Sequence, residues 1–274
     1  MKFVFPLVIL IWFLTSCEKK NENIIPSYIQ INNISLNNSE ETHNITDAWV
    51  YINDNLQGVY ELPAHFPVLH TGNQKIRIKG GIKVNGIAST RIPYPFYESI
   101  IDTINLVLDS TVIFDTIKLN YFDNTEYGFY EDFESIGFDF ISSGVSDTNL
   151  NIVTDSTGNR MGYAIIEDPF LTFEASTTKL ENLPQAGANV FLELDYKSTE
   201  DFQIGVYTAF SETVVQKEIM QLFAKDEWNK IYINLTNTIS EGIGASYFKV
   251  YVGMQKPSSS QKAELYFDNF KIIY

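Results

Sequence analysis

Nearly every strongly patterned stretch of this chain changes character at every second residue, and very few repeat every third or fourth. Ala48-Trp49-Val50-Tyr51-Ile52, Gln74-Lys75-Ile76-Arg77-Ile78, Thr111-Val112-Ile113-Phe114, Val190-Phe191-Leu192-Glu193-Leu194-Asp195-Tyr196, Lys230-Ile231-Tyr232-Ile233-Asn234-Leu235, Phe248-Lys249-Val250-Tyr251-Val252 and Glu264-Leu265-Tyr266-Phe267 alternate or are rich in β-branched and aromatic residues. A two-residue period places successive side chains on opposite faces of a strand, whereas a helix needs apolar residues three and four apart. Turn formers separate the runs, as at Asn53-Asp54-Asn55, Gly72-Asn73, Gly80-Gly81 and Pro257-Ser258-Ser259-Ser260. Many short strands punctuated in this way fold as β-sandwiches. The one helix the pattern allows falls around Thr213–Ala224. A chain of 274 residues that is 45% hydrophobic and 14% aromatic can fill the cores of one large or two ordinary domains.

The amino terminus has a different logic. Met1-Lys2 precedes an apolar run, Phe3 to Leu14, then Thr15-Ser16 and the only cysteine, Cys17. A positive start, a short greasy middle and small residues at the end make a secretory signal, too short to span a bilayer. Leu14-Thr15-Ser16-Cys17 resembles the lipobox of bacterial lipoproteins, in which the leader is cut before a cysteine that receives a lipid. The resemblance implies a signal peptide over residues 1–16, lipidation (diacylglyceryl and palmitate chains) at Cys17, and an outer-membrane protein displayed at the cell surface. A single thiol in an exported chain has no disulfide partner, so lipid attachment accounts for it. Residues 17–27, beginning Cys17-Glu18-Lys19-Lys20-Asn21-Glu22-Asn23, suit a solvated tether.

The sandwich-forming part divides in two. In residues 28–125, Asp47 to Pro63 followed by Gly72-Asn73-Gln74-Lys75-Ile76-Arg77-Ile78 resembles the small β-sandwich modules called PEGA domains, which act as spacers on surface proteins. In residues 126–274, Glu131-Asp132-Phe133-Glu134 at the start, Leu194-Asp195-Tyr196-Lys197 in the middle, Trp228-Asn229-Lys230-Ile231-Tyr232-Ile233-Asn234-Leu235, and Phe267-Asp268-Asn269-Phe270 at the end resemble the jelly rolls of carbohydrate-binding modules and the galactose-binding-like fold. The expectation is therefore an all-β chain of two tandem antiparallel β-sandwiches, the second a jelly roll.

What the second resemblance implies about sites is specific enough to test. Jelly rolls of this class commonly hold a structural Ca²⁺ where first and last strands meet. The acids that fall there are Glu131, Asp132, Glu134 and Asp268, and Ca²⁺ takes six to eight oxygen ligands. Sugar binding calls for exposed aromatic faces, for which Tyr207, Phe210 and Tyr251 are the candidates; Trp228 matches a core position of similar folds and is read as structural.

Charge and motif composition exclude other functions. With 34 acidic against 19 basic residues the net charge is −15, which repels phosphate backbones and excludes nucleic acid as a partner. There is no Gly-x-Ser-x-Gly elbow, the three histidines His43, His65 and His70 all lie in the first unit, and Ser176–Lys179 and Ser259–Lys262 lack the companion motifs of Ser-Lys enzymes. The expected function is non-catalytic: a lipid-anchored envelope protein whose second unit binds a glycan. The alternative is a protein–protein or assembly subunit of a surface uptake or motility complex, with an envelope protein as partner.

Overall fold

A computed structural model describes residues 25–274; the leader, Cys17 and most of the tether lie outside the described residues. Among the described residues the chain is all-β, as the two-residue period predicts, with one short helix.

The first unit comprises β1 (Ser27–Ile31), β2 (Ile34–Leu36), β3 (Asp47–Ile52), β4 (Asn55–Glu61), β5 (Ala64–Val68), β6 (Gly72–Lys83), β7 (Arg91–Pro93), β8 (Ser99–Leu106), β9 (Thr111–Phe114) and β10 (Ile117–Leu119). A five-stranded sheet runs β4-β3-β6-β7 with β8 also on β6; β5-β1-β9 and β10-β2 face it. This unit is not purely antiparallel: β1 runs parallel to β9 and β2 parallel to β10. Alternation sets which face is inward, so Ile29 and Ile31 of β1, Phe66 of β5, and Ile76 and Ile78 of β6 share one core.

The second unit comprises β11 (Tyr127–Glu131), β12 (Phe140–Ser142), β13 (Asn151–Thr154), β14 (Arg160–Glu167), β15 (Thr172–Thr177), β16 (Phe191–Ser198), β17 (Phe202–Ala209), β18 (Val214–Leu222), β19 (Lys225–Asn234), α1 (Thr236–Glu241), β20 (Tyr247–Gln255) and β21 (Lys262–Ile273). It is an antiparallel jelly roll. A six-stranded sheet, β13-β14-β21-β16-β19 with β11 also on β21, packs on a five-stranded sheet, β12-β15-β20-β17-β18. The helix lies at α1 rather than at residues 213–224. Most of the latter form edge strand β18, because all of its residues except Ile219 gain a ladder partner on β17 and the pairing outweighs the modest helix preference of Gln, Lys, Glu and Met.

Strand β16 shows how the units join. Its pattern Phe-Leu-Glu-Leu-Asp-Tyr sends Leu192, Leu194 and Tyr196 into the second core. The alternate residues should face water. Instead Phe191 enters the first unit's core, together with Tyr232 and Ile273, and Glu193 is fully buried. Glu193 accepts hydrogen bonds from Tyr94 (2.8 Å) and Tyr121 (2.9 Å) and pairs with Lys230 at 3.1 Å. Asn44 N–H donates to Tyr232 Oη at 3.0 Å, and Asn234 N–H donates to Asn85 Oδ1 at 2.9 Å. The part of the outer face of the six-stranded sheet around Phe191, Glu193 and Tyr232 is thus buried against the first unit, and a polar network sits where desolvated charges must be paired.

Candidate functional site

The five-stranded sheet leaves its outer face to solvent. Phe173, Phe202, Ile204, Val206, Val250, Val252 and Met254 point into the core, so the alternation turns Glu174, Gln203, Gly205, Tyr207, Tyr251 and Gly253 outward. Register lines them up across three strands: Glu174 and Gln203 flank Gly253, while Ser176 and Gly205 flank Tyr251. Gln221 lies opposite Gln203 and Glu218 opposite Gly205 on the edge strand β18. Glu174, Gln203, Gly253, Glu218 and Gln221, with Glu200, Asp201 and Pro257 at one end, line a groove of about 720 Å³; Gly205, Tyr207 and Tyr251 continue the same face beside it.

The two glycines have a steric reason. A Cβ on Gly205 would lie 2.2 Å from the Tyr251 ring, and one on Gly253 3.0 Å from the Gln203 amide. Glycine here lets a neighbouring side chain lie flat on the sheet and keeps the groove floor low. Glu174 is buried beneath the rim, accepting a hydrogen bond from Tyr207 Oη at 2.5 Å and another from Gln216 Nε2 at 3.2 Å. Burial, reinforced by that bond to Glu174, holds the Tyr207 phenol well above the usual tyrosine range, so it is a fixed donor. Gln221 Nε2 donates to Asp201 Oδ2 at 3.3 Å. The face is a row of amides and carboxylates set on an open floor.

Of the expected aromatic candidates, Tyr207 and Tyr251 do lie together on this face, ring centroids 5.0 Å apart. Tyr207 is half-buried on the same face, outside the groove lining. Tyr251 is only 1% exposed, because its ring fills the space over Gly205, so it offers no stacking face. Phe210 sits in the turn after β17, where its N–H donates to Thr213 O at 2.8 Å, away from the groove lining. Trp228 departs from its expected core role: it is 45% exposed, because the ladder between β16 and β19 breaks between Tyr196 and Ser198 and the residue falls in the irregular stretch. The amides that dominate the groove carry no motif; only their two-residue spacing with Gly205 and Tyr207 marks them.

The four expected Ca²⁺ ligands are on strands that do meet, since β11 pairs antiparallel with the end of β21. Their carboxylates do not converge. Glu131 is buried and accepts the N–H groups of Phe133 (2.8 Å) and Asp139 (2.7 Å). Asp132 accepts Glu134 N–H at 3.1 Å, Glu134 accepts Arg160 N–H at 2.8 Å, and Asp268 accepts Asn159 Nδ2 at 3.2 Å. Each carboxylate instead accepts hydrogen bonds from its own surroundings, and among the described residues no three His, Cys, Asp or Glu side chains group as metal ligands do.

No protein-family profile matches the sequence, and no curated protein matches it. Solved structures overlap with it in part. The CBM22-2 xylan-binding domain of Paenibacillus barcinonensis Xyn10C is 17% identical, with 53% of this chain and 98% of that one covered and a TM-score of 0.39. The tandem CBM22-1–CBM22-2 domain of the same protein is 13% identical over 83% of this chain and 73% of that one, TM-score 0.39. A family 11 carbohydrate-binding module from Clostridium thermocellum, solved with a beta-1,3-1,4-mixed-linked tetrasaccharide, is 13% identical over 52% and 92%, TM-score 0.37. The fold rests on the strand order and register described above, not on these overlaps.

Proposed function

We propose that this chain is a non-catalytic glycan-binding protein that holds an extended saccharide in the groove of the five-stranded sheet. The observation that carries the reading is the groove itself: amides and carboxylates from four strands on a glycine-lowered floor. Each sugar hydroxyl both donates and accepts, and a Gln amide does the same. The volume of about 720 Å³ falls inside the range of roughly 300–1,000 Å³ for ligand sites. Binding rather than cleavage fits Glu174, whose two oxygens are already engaged by Tyr207 and Gln216. In this reading lipid on Cys17 fixes the chain to the outer membrane and the first unit carries the second away from it.

A glycan array probed with the whole chain tests the proposal. Plant and microbial polysaccharides should bind, and Gln203→Ala combined with Gln221→Ala should abolish that binding while leaving the unfolding temperature unchanged. A silent array from folded protein overturns it, and protein partners sought by cross-linking on intact cells then become the better account.

A further inference from the structure

A second pocket, of about 390 Å³, lies where the two units meet, on the outer face of the six-stranded sheet and so opposite the groove. Two irregularities in the ladder build it. Between Tyr196 and Ser198, β19 runs from Asn229 back to Lys225, so three residues, 226–228, stand against Lys197 alone and Trp228 swings outward. Between Glu193 and Asp195, β21 runs from Lys271 to Asp268, and Asn269 takes a left-handed φ of 49°. Its side-chain Nδ2 then donates to Asp195 Oδ2 at 2.9 Å. Bulges of this kind re-aim side chains, and they concentrate beside functional sites.

The first unit closes the pocket. Thr42 and His43 come from the loop between β2 and β3, and Thr42 Oγ1 donates to Asp195 Oδ2 at 2.5 Å. Both hydrogen bonds to Asp195 fall on the same oxygen, which leaves Oδ1 for a ligand. Asp268 takes one bond on each oxygen, from Asn269 N–H at 2.7 Å and Asn159 Nδ2 at 3.2 Å; each keeps a lone pair. Lys230 also lines the pocket with its side chain 4% exposed. Its Nζ has Glu193 Oε2 at 3.1 Å and Asp195 Oδ2 at 4.0 Å, yet meets no acceptor at hydrogen-bonding geometry. A buried ammonium with protons to spare is rare enough to ask what would receive them.

The pocket therefore offers an aromatic face at its mouth, carboxylate acceptors on one wall and an ammonium donor at the back. Asp195, Asp268 and Glu40 repel a phosphate or sulfate, while Lys230 opposes a simple cation. A neutral ring with one apolar face and hydroxyls around its edge satisfies all three. We propose that this junction pocket binds one neutral pyranose residue of a glycan, stacked on Trp228, its hydroxyls joining the Asp268 carboxylate to the Lys230 ammonium. The site needs both units, and it stands independently of the groove, from which it shares no side chain.

Fluorotryptophan labelling of the whole chain followed by fluorine NMR gives a direct readout, because Trp228 is one of only three tryptophans and is assigned by Trp228→Phe. The probes are the methyl glycosides of glucose, galactose, mannose, xylose and N-acetylglucosamine. At least one should shift the Trp228 resonance saturably and leave Trp49 unmoved. Asp268→Ala should weaken that binding about tenfold or more, a loss on the order of 1.4 kcal/mol, and Gln203→Ala with Gln221→Ala should leave it unchanged. No saturable shift from any of the five glycosides overturns the proposal. So does a shift lost with the groove variant, which would place the sugar in the groove, or a shift produced by ammonium ions and by no glycoside. A silent glycan array with a Trp228 response to a glycoside would remove the groove reading and keep this one.

Discussion

The two faces of the second unit reach polar surfaces by opposite routes. On the five-stranded sheet the ladder across β15, β20 and β17 runs without a register shift, a single irregularity on edge strand β18 brings Glu218 and Gln221 to the same face, and every groove residue comes from one unit. On the six-stranded sheet the pocket needs a break on each side of β16 and a loop from the first unit. A sheet that faces solvent can make a site from its regular repeat. A sheet buried under another unit must break its repeat to open one.

The largest effect should come from the network that fuses the units, since only the pocket depends on it. Glu193→Ala removes the partner of Lys230 and the acceptor of Tyr94 and Tyr121. Removing one member of a buried ion pair costs about 3–5 kcal/mol, because the other charge stays buried alone. Urea unfolding should show that loss, and Glu193→Gln, which restores an acceptor without the charge, should recover only part of it. A loss under about 1 kcal/mol would mean that the units are only loosely joined.

The converse damage is done at Gly205. Its Cβ position overlaps the Tyr251 ring at 2.2 Å, so Gly205→Val must lift that ring off the sheet beside the groove. Overpacking of this kind costs about 1–3 kcal/mol, and thermal unfolding should fall by several degrees. Groove binding should go with it, while the Trp228 response to glycosides stays.

These contrasts also explain what is legible in the sequence. Period-two patterning identifies most of the strands, because regular pleating converts spacing into side-chain direction, but it does not say which face of a strand is open, so it cannot tell Tyr207, half-buried, from Tyr251, buried over Gly205. It mistakes β18 for a helix because an edge strand exposed along most of its length shows no buried-exposed rhythm. The parallel pairings of β1 with β9 and β2 with β10 join residues about eighty apart, and no local pattern encodes that. Trp228 reads as a core residue for the same reason that the pocket is invisible: a bulge adds residues to one strand without altering composition. The Glu131, Asp132, Glu134 and Asp268 cluster rests on correct strand proximity, but backbone N–H groups claim the carboxylates first.

A third, smaller effect should reveal that the pocket is held at a cost to stability. Asp268 is 7% exposed, and burial, with Asp195 and Asp132 adding to it, pushes its pKa up to about 6 from the ordinary 3.8. An acid that holds its proton more tightly folded than unfolded makes the folded state lose stability as pH rises from about 4 to about 6. A rise of that size corresponds to about 3 kcal/mol, which residual solvent contact reduces to about 1–2 kcal/mol. Asp268→Asn keeps the shape and removes the charge, so it should unfold at a higher temperature than the parent at pH 7 and at nearly the same temperature at pH 4. Equal unfolding temperatures at pH 7 would mean that the carboxylate is well solvated.

The smallest effect on stability is the most telling about function. A tryptophan that fills a core costs about 3–5 kcal/mol when cut back to alanine, whereas a surface substitution usually stays within about 0.5 kcal/mol. Trp228 is large, 45% exposed, and placed by an irregularity that the ladder between β16 and β19 would do better without. Trp228→Ala should therefore leave the unfolding midpoint in urea almost where it was, and abolish the response of the pocket to every glycoside. If the midpoint drops by the amount expected of a core residue, the ring is packing against the bulge rather than waiting for a ligand, and the contrast between the two faces narrows to one binding surface and one structural seam.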